Sequence, residues 1–142
     1  MSLSRLLIPI CAVAVLLLFT AVDKKDNWTK EQLISGKELA DAINQNKAPL
    51  IINIGPAGNI KLAKEIGSVN TPDKLEALRA YIKPAKKDHQ IVVYCGCCPF
   101  KNCPNIRPAI ALLREMGFKK TRLLDIPENL KVDWIDKGFP MD

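Results

Sequence analysis

The sequence predicts a three-layer α/β domain, with a mostly parallel central sheet flanked by helices. Three observations predict it. Short, nearly continuous apolar runs at residues 50–54, 90–94 and 121–124 read as buried strands of a parallel sheet. Stretches of helical period lie between and around them, so strand and helix alternate. Glycine and proline mark the junctions, as Gly55-Pro56 after the first run and Gly117 before the last show.

Taken in order, the domain begins at Trp28. Thr29 with Gln32, and Ser35 with Glu38, fit a capping-box spacing. Leu39, Ala42 and Ile43 give an apolar face to a helix over 36–46. The strand 50–54 ends in a turn, Gly55-Pro56-Ala57-Gly58-Asn59, and 60–67 has mixed character. Thr71-Pro72-Asp73 starts a second helix, with Thr71 as cap and Pro72 in the first turn. Its buried face is Leu75, Ala77, Leu78, Tyr81 and Ile82, and Pro84 ends it. After the strand 90–94 comes a cysteine-rich loop, then a helix over 108–116 with Gly117 as its stop. Residues 132–138 close the chain as a short helix. Trp28 and Trp134 read as core anchors, and Asp133 and Asp136 as a solvated face.

Ahead of the domain, residues 1–22 are mostly apolar and carry one charge, Arg5, with none from Leu6 to Val22. They read as a secretory signal or a short uncleaved anchor, with 23–27 as a polar tether and 28–142 as the domain. Cys11 lacks the small residues before it that lipidation requires. Either favoured reading puts the domain outside the cytoplasm, with the periplasm as the expected compartment and the membrane as a partner if the leader is kept. Beyond residue 22 the chain holds 20 Lys and Arg against 15 Asp and Glu. The basic residues are scattered and aromatics are few, which argues against nucleic acid. A basic surface of this kind steers small anions mildly.

Four of the five cysteines fall between Cys95 and Cys103, in a loop joining a strand's C-terminal end to a helix N-terminus. Ligands of open α/β sheets bind at that edge. Thiolates there are favoured by the helix dipole and unpaired N–H groups. The turn 55–59 lies on the same edge.

Four stretches resemble the rhodanese-like family, over roughly 28–140. The apolar strand at 50–55 matches a family strand that ends in an acidic residue and a turn. Asn59-Ile60-Lys61-Leu62-Ala63 is similar to a Gly-His-Ile-x-Gly-Ala motif. Ile91-Val92-Val93-Tyr94-Cys95 resembles the strand that delivers the catalytic cysteine. Trp134 through Gly138-Phe139-Pro140 resembles a closing Trp-x-x-x-Gly-Tyr-Pro signature. The chain departs from the pattern in three ways. Asn53 stands near the usual acidic position and Asn59 at the histidine. Eleven residues separate Cys95 from Arg107, where the family loop is much tighter. The resemblance implies sulfurtransferase chemistry through a cysteine persulfide.

On that footing Cys95 is the candidate nucleophile and Arg107 the candidate anion clamp for thiosulfate or sulfite. Gly96, Cys97, Cys98, Asn105 and Ile106 form the substrate-binding loop, with Asn105 as helix cap. The acceptor is a thiophile such as cyanide or a protein thiol. Cys97 and Cys98 are adjacent and poorly placed to bond each other, so Cys103 is the expected disulfide or redox partner of one of them. A free neighbour of Cys95 is then a resolving thiol that releases sulfide. The rival to both is a soft metal, zinc or copper(I), on Cys95, Cys97, Cys98 and Cys103. Its spacing, Cys-x-Cys-Cys-x4-Cys, is tighter than paired knuckles, and one short loop has to wrap the ion. No phosphate-binding glycine motif is present. The one histidine, His89, sits at the opposite strand end, so a Ser-His-Asp set is excluded and no cofactor is expected.

Overall fold

A computed structural model describes residues 28–142. The leader and tether readings, and Cys11, lie outside the described residues. Among the described residues no helix is long and apolar enough to cross a membrane.

Strand and helix alternate as expected. The elements are β1 (Leu33–Ser35), α1 (Gly36–Asn44), β2 (Leu50–Asn53), β3 (Lys64–Glu65), α2 (Pro72–Ile82), β4 (Ile91–Tyr94), α3 (Ile106–Glu115) and β5 (Thr121–Asp125). The five strands form one sheet in the order β1-β5-β4-β2-β3, and every pair is parallel. In register, Ile51 faces Val92 and Val93 faces Leu123, so β4 occupies the centre.

Both sheet faces are covered, which is why β4 is apolar at every position. Ile52, Ile91 and Val93 point into one core with Leu78 and Ile82 of α2 and Ile110 and Leu113 of α3. Ile51, Val92 and Tyr94 point into the other, with Leu39 and Ile43 of α1 and with Trp134. The alternation of β-strand side chains divides them. The layers are therefore helix, sheet, helix.

Local signals account for most boundaries. Ser35 Oγ accepts from the Glu38 N–H at 3.1 Å and caps α1. Gln32 Oε1 accepts from the Thr29 N–H at 2.9 Å, as the capping box requires. The helix α3 stops at Gly117, whose φ of +89° suits glycine. There Phe118 N–H donates to Leu113 O and Gly117 N–H to Arg114 O, both at 2.9 Å, a Schellman ending.

Four expectations need correction. Thr71 precedes α2 in extended conformation but makes no side-chain cap. Ala77 is exposed on α2 and does not join its buried face, since Leu78 and Ile82 already cover the sheet there. Residues 131–135 form a single π-type turn in which Asp136 N–H reaches back five residues to Lys131 O at 2.8 Å. Asp133 is buried, not solvated, because its Oδ2 accepts from the Glu128 and Asn129 N–H groups at 2.7 and 3.0 Å. Asp136 keeps to the surface and pairs with Lys131.

Candidate active site

Parallel strands place all their C-terminal ends on one edge. At the centre of that edge, one residue past β4, sits Cys95, only 2% exposed. Two segments enclose it, the turn after β2 and the loop between β4 and α3.

The turn comes close because of its glycine. A Cβ built on Gly55 would lie 2.3 Å from Cys95 Sγ and 2.7 Å from Cys95 O. Asn53 holds this turn in shape. Its Oδ1 accepts from the Gly55 N–H at 3.0 Å, and its Nδ2 donates to Ala57 O at 2.8 Å and to Asn59 Oδ1 at 3.0 Å. A carboxylate could make the first contact but not the other two, since it has no donor. The amide at the family's acidic position therefore does a structural job here. Asn59 passes the chain of bonds on to Glu65 Oε2 at 3.2 Å.

Two further contacts clamp the turn. Tyr94 accepts from the Ile60 N–H at 2.9 Å and donates to Gly58 O at 3.0 Å. Burial pushes its hydroxyl up to about 12, so it stays protonated and able to donate. The C-terminal segment adds a second clamp. Trp134 Nε1 donates to Pro140 O at 3.0 Å, while Pro140 O and the Asp142 N–H bond to Lys61 and Asn59. The closing signature seen in the sequence thus works at a distance, by pinning the turn that backs Cys95.

On the other side, Gly96 has φ +75°, and a Cβ there would meet Leu130 Cβ at 2.9 Å and Ala57 Cβ at 3.0 Å. This left-handed residue swings the chain so that Cys97 returns toward Cys95. A short 3-10 turn, Phe100–Asn102, then carries Cys103 back inward, where it is buried. As a result the four sulfurs gather, each within 4.8 Å of every other. Cys95 and Cys97 Sγ are 3.2 Å apart, and Cys97 and Cys98 Sγ 3.5 Å. All four are free thiols in this structure.

Donors converge on the Cys95 sulfur. The Cys103 thiol contributes most. Asn105 Nδ2 follows at 3.3 Å, then the Cys97 thiol and the Cys97 backbone N–H. Together they hold Cys95 down to about 5, although burial opposes them. It is therefore a thiolate at neutral pH. Its neighbours answer in the opposite direction. Burial, then donation to Cys95, pushes Cys97 up to about 12. Donation to Cys95, then burial, pushes Cys103 well above the ordinary thiol range. One anion is shared by a ring of protonated donors.

Asn105 departs from its expected role. It makes no cap to α3. Its Oδ1 accepts from the Asn70 N–H at 3.1 Å, which aims the Nδ2 at Cys95. Ile106 is buried beside it and anchors the first turn of α3, whereas Arg107 lies exposed on that turn. Cys97 is exposed and Cys98 half-buried, so the cluster opens to solvent on their side. Reading the sequence alone missed Gly55 as the residue that backs Cys95. A glycine directly after a buried strand and level with the strand end that carries Cys95 was the available signal.

No family model matches the chain, and no curated protein sequence matches it. Solved structures do. The chain is similar to EanB in a persulfide-bearing form with ergothioneine, with TM-score 0.56 and 21% identity over 77% of this chain and 27% of that one. It is similar to the anaerobic ergothioneine biosynthesis enzyme from Chlorobium limicola in complex with trimethyl histidine, with TM-score 0.57 and 20% identity, covering 79% and 28%. The single-domain sulfurtransferase RDL2 of Saccharomyces cerevisiae aligns with TM-score 0.55 and 13% identity, over 79% of this chain and 94% of that one. The chain spans under a third of the length of the first two. These likenesses define the architecture: a parallel α/β sheet layered between helices, as in the single-domain sulfurtransferase RDL2. More particularly, residues 28–142 have the rhodanese fold, as the four sequence stretches implied.

Proposed function

We propose that this protein is a sulfurtransferase that carries sulfane sulfur as a persulfide on Cys95. The observation that supports it most is the ring of donors, Cys103, Asn105 and Cys97, around a thiolate at the end of the central strand. The fold it shares with RDL2 and with the persulfide-bearing EanB supports the same reading.

In the first half-reaction the Cys95 thiolate attacks the outer sulfur of a donor such as thiosulfate. The sulfur–sulfur bond of the donor breaks, and sulfite leaves with the bonding pair. Arg107, in the first turn of α3, serves as the oxyanion's guanidinium partner. In the second half-reaction a thiophile such as cyanide or a protein thiol attacks the terminal sulfur. Cys95 leaves as a thiolate, which the same donors stabilise, and a low-pKa thiol leaves readily. The proposal takes residues 1–22 as a leader or anchor, so this chemistry runs outside the cytoplasm.

Intact mass before and after thiosulfate, then after cyanide, tests the reading. The expected result is a gain of one sulfur that cyanide removes and that Cys95→Ser lacks. No gain on fully reduced protein sinks thiosulfate transfer. The 3.2 Å separation of Cys95 and Cys97 also favours a second reading, a dithiol that cycles to a disulfide. A reversible loss of two protons and two electrons to an added disulfide oxidant, with no sulfur uptake, is its signature in the same spectra.

A further inference from the structure

We propose that Cys95, Cys97, Cys98 and Cys103 form a mononuclear tetrathiolate site for a soft d10 cation, with Zn(II) as its probe ion. This goes beyond sulfur transfer and uses the same thiols in a second, mutually exclusive state.

The spacing objection from the sequence is met by the loop's conformation. Adjacent cysteines normally project apart, yet Cys97 and Cys98 Sγ lie 3.5 Å from each other. Gly96 supplies the left-handed turn that returns Cys97 to Cys95, and the 3-10 turn after Pro99 returns Cys103. A tetrahedral ion with metal–sulfur bonds of about 2.3 Å needs sulfurs about 3.8 Å apart. Here all six separations are within 4.8 Å, and two are 3.2 and 3.5 Å. Changes of up to about 1 Å in the sulfur–sulfur separations therefore complete the geometry, which side-chain rotation supplies. That span is too small for a multi-iron cluster, and four sulfurs without oxygen or nitrogen donors select against hard cations.

The surroundings suit thiolate ligands as well. Asn105 Nδ2 donates to Cys95 Sγ and is itself oriented by the Asn70 N–H. The backbone N–H of Cys97 bonds to Cys95, and that of Asn105 to Cys103. N–H groups of this kind fix metal-bound sulfurs in place. Two ligands are buried and two reach the surface, so an ion has a route in from the Cys97 and Cys98 side.

The state matters for sulfur chemistry. With a cation on all four thiolates, the lone pair that Cys95 uses on a donor is engaged in the metal bond. Loading with metal then closes the sulfur-accepting site, and removing it opens the site again.

The test uses the full chain, purified under anaerobic reducing conditions, stripped with a chelator and titrated with Zn(II) against a chromophoric competitor. One ion per chain by native mass is expected. Co(II) in its place is expected to give the intense visible bands of tetrahedral sulfur coordination. Cys98→Ser and Cys103→Ser are each expected to lower affinity at least about ten-fold, with circular dichroism showing that both fold. The half-exposed Cys98 keeps the test decisive if Cys103→Ser unfolds. Loss of the ion to the competitor overturns the proposal. So does an octahedral Co(II) spectrum, or affinity unchanged in Cys98→Ser. Failure here is separable from failure of the sulfur reading. Stripped protein that binds Zn(II) but takes up no sulfur removes the persulfide and leaves this site. Stripped protein that takes up sulfur but not Zn(II) does the reverse.

Discussion

Replacing Cys103 by Ala removes the strongest donor to the Cys95 thiolate. Cys95 titrates at about 5, against about 8.5 for a free thiol. The gap of about 3.5 units is the net of several donors and an opposing burial cost, and each unit is worth about 1.4 kcal/mol. A hydrogen bond to a charged group contributes about 1.5–3 kcal/mol. Cys103→Ala should therefore raise the Cys95 midpoint by about 1–2 units. Cys103→Ser keeps an O–H donor in the same place and should hold the midpoint near that of the unaltered protein. The assay is alkylation as a function of pH, with the Cys95 peptide followed by mass. The midpoint is the readout, because intrinsic nucleophilicity rises with pKa and partly masks the loss of thiolate in the rates themselves. Stability carries the same information with a defined sign. The native state binds fewer protons at Cys95 than the unfolded chain does between about pH 5 and 8.5, so this group stabilises progressively as pH rises through that window. Cys97, whose folded pKa is raised, works in the opposite direction above it: its contribution is complete below the unfolded pKa and is lost toward about 12. Cys103→Ala should flatten the rise between pH 5 and 7. A Cys95 midpoint within about 0.3 units of the unaltered protein would refute the view that the thiol ring holds the anion.

Two backbone predictions follow from the geometry around the site. Gly55→Ala drives a methyl against Cys95 main-chain atoms at 2.7 and 2.9 Å, which cannot rotate away, and should cost about 1–3 kcal/mol in urea unfolding. A loss below about 0.5 kcal/mol would mean the turn is not seated on Cys95. Leu62 stands at the glycine of the family motif, with φ +69° and 59% exposure. Leu62→Gly relieves about 1–2 kcal/mol of left-handed strain, partly offset by glycine's greater unfolded-state entropy, so a net gain of about 0.5–1 kcal/mol is expected. Equal or lower stability in the same assay would count against it.

The strands that the sequence revealed are those buried on both faces. β2, β4 and the Leu123-Leu124 centre of β5 advertise themselves as apolar runs because both faces of the sheet are covered there. β1 is three residues at the sheet edge and ends on the residue that caps α1, so the capping signal hid the strand. β3 is Lys64-Glu65, both exposed, and pairs through its backbone with Ile52 and Asn53, leaving no side-chain signature at all. At the site, the cysteines and their clustering on one sheet edge were legible from strand-loop-helix order. The part played by Asn105 was not. An asparagine just before a helix reads as a cap, and only the position of Asn70, 35 residues earlier, turns its amide toward sulfur. Asp133 misled for a similar reason, since its partners are main-chain N–H groups that no pattern of side chains reports.

The order in which the strands neighbour one another bears on how the chain is made. β4, which delivers Cys95, is central only because β5 lies on its far side, and β1 at the rim pairs with β5, joining Leu33 to Leu123. While the ribosome is still extending the chain, β1 has no strand to pair with until β5 emerges. Leu130, which covers Gly96, comes later still. Pairings this distant in sequence form slowly. All four thiols are thus synthesised before β5 and Leu130, although the turn after β2 that backs Cys95 precedes them. An oxidant that reaches the thiols before β5 docks therefore meets them on an incompletely folded polypeptide.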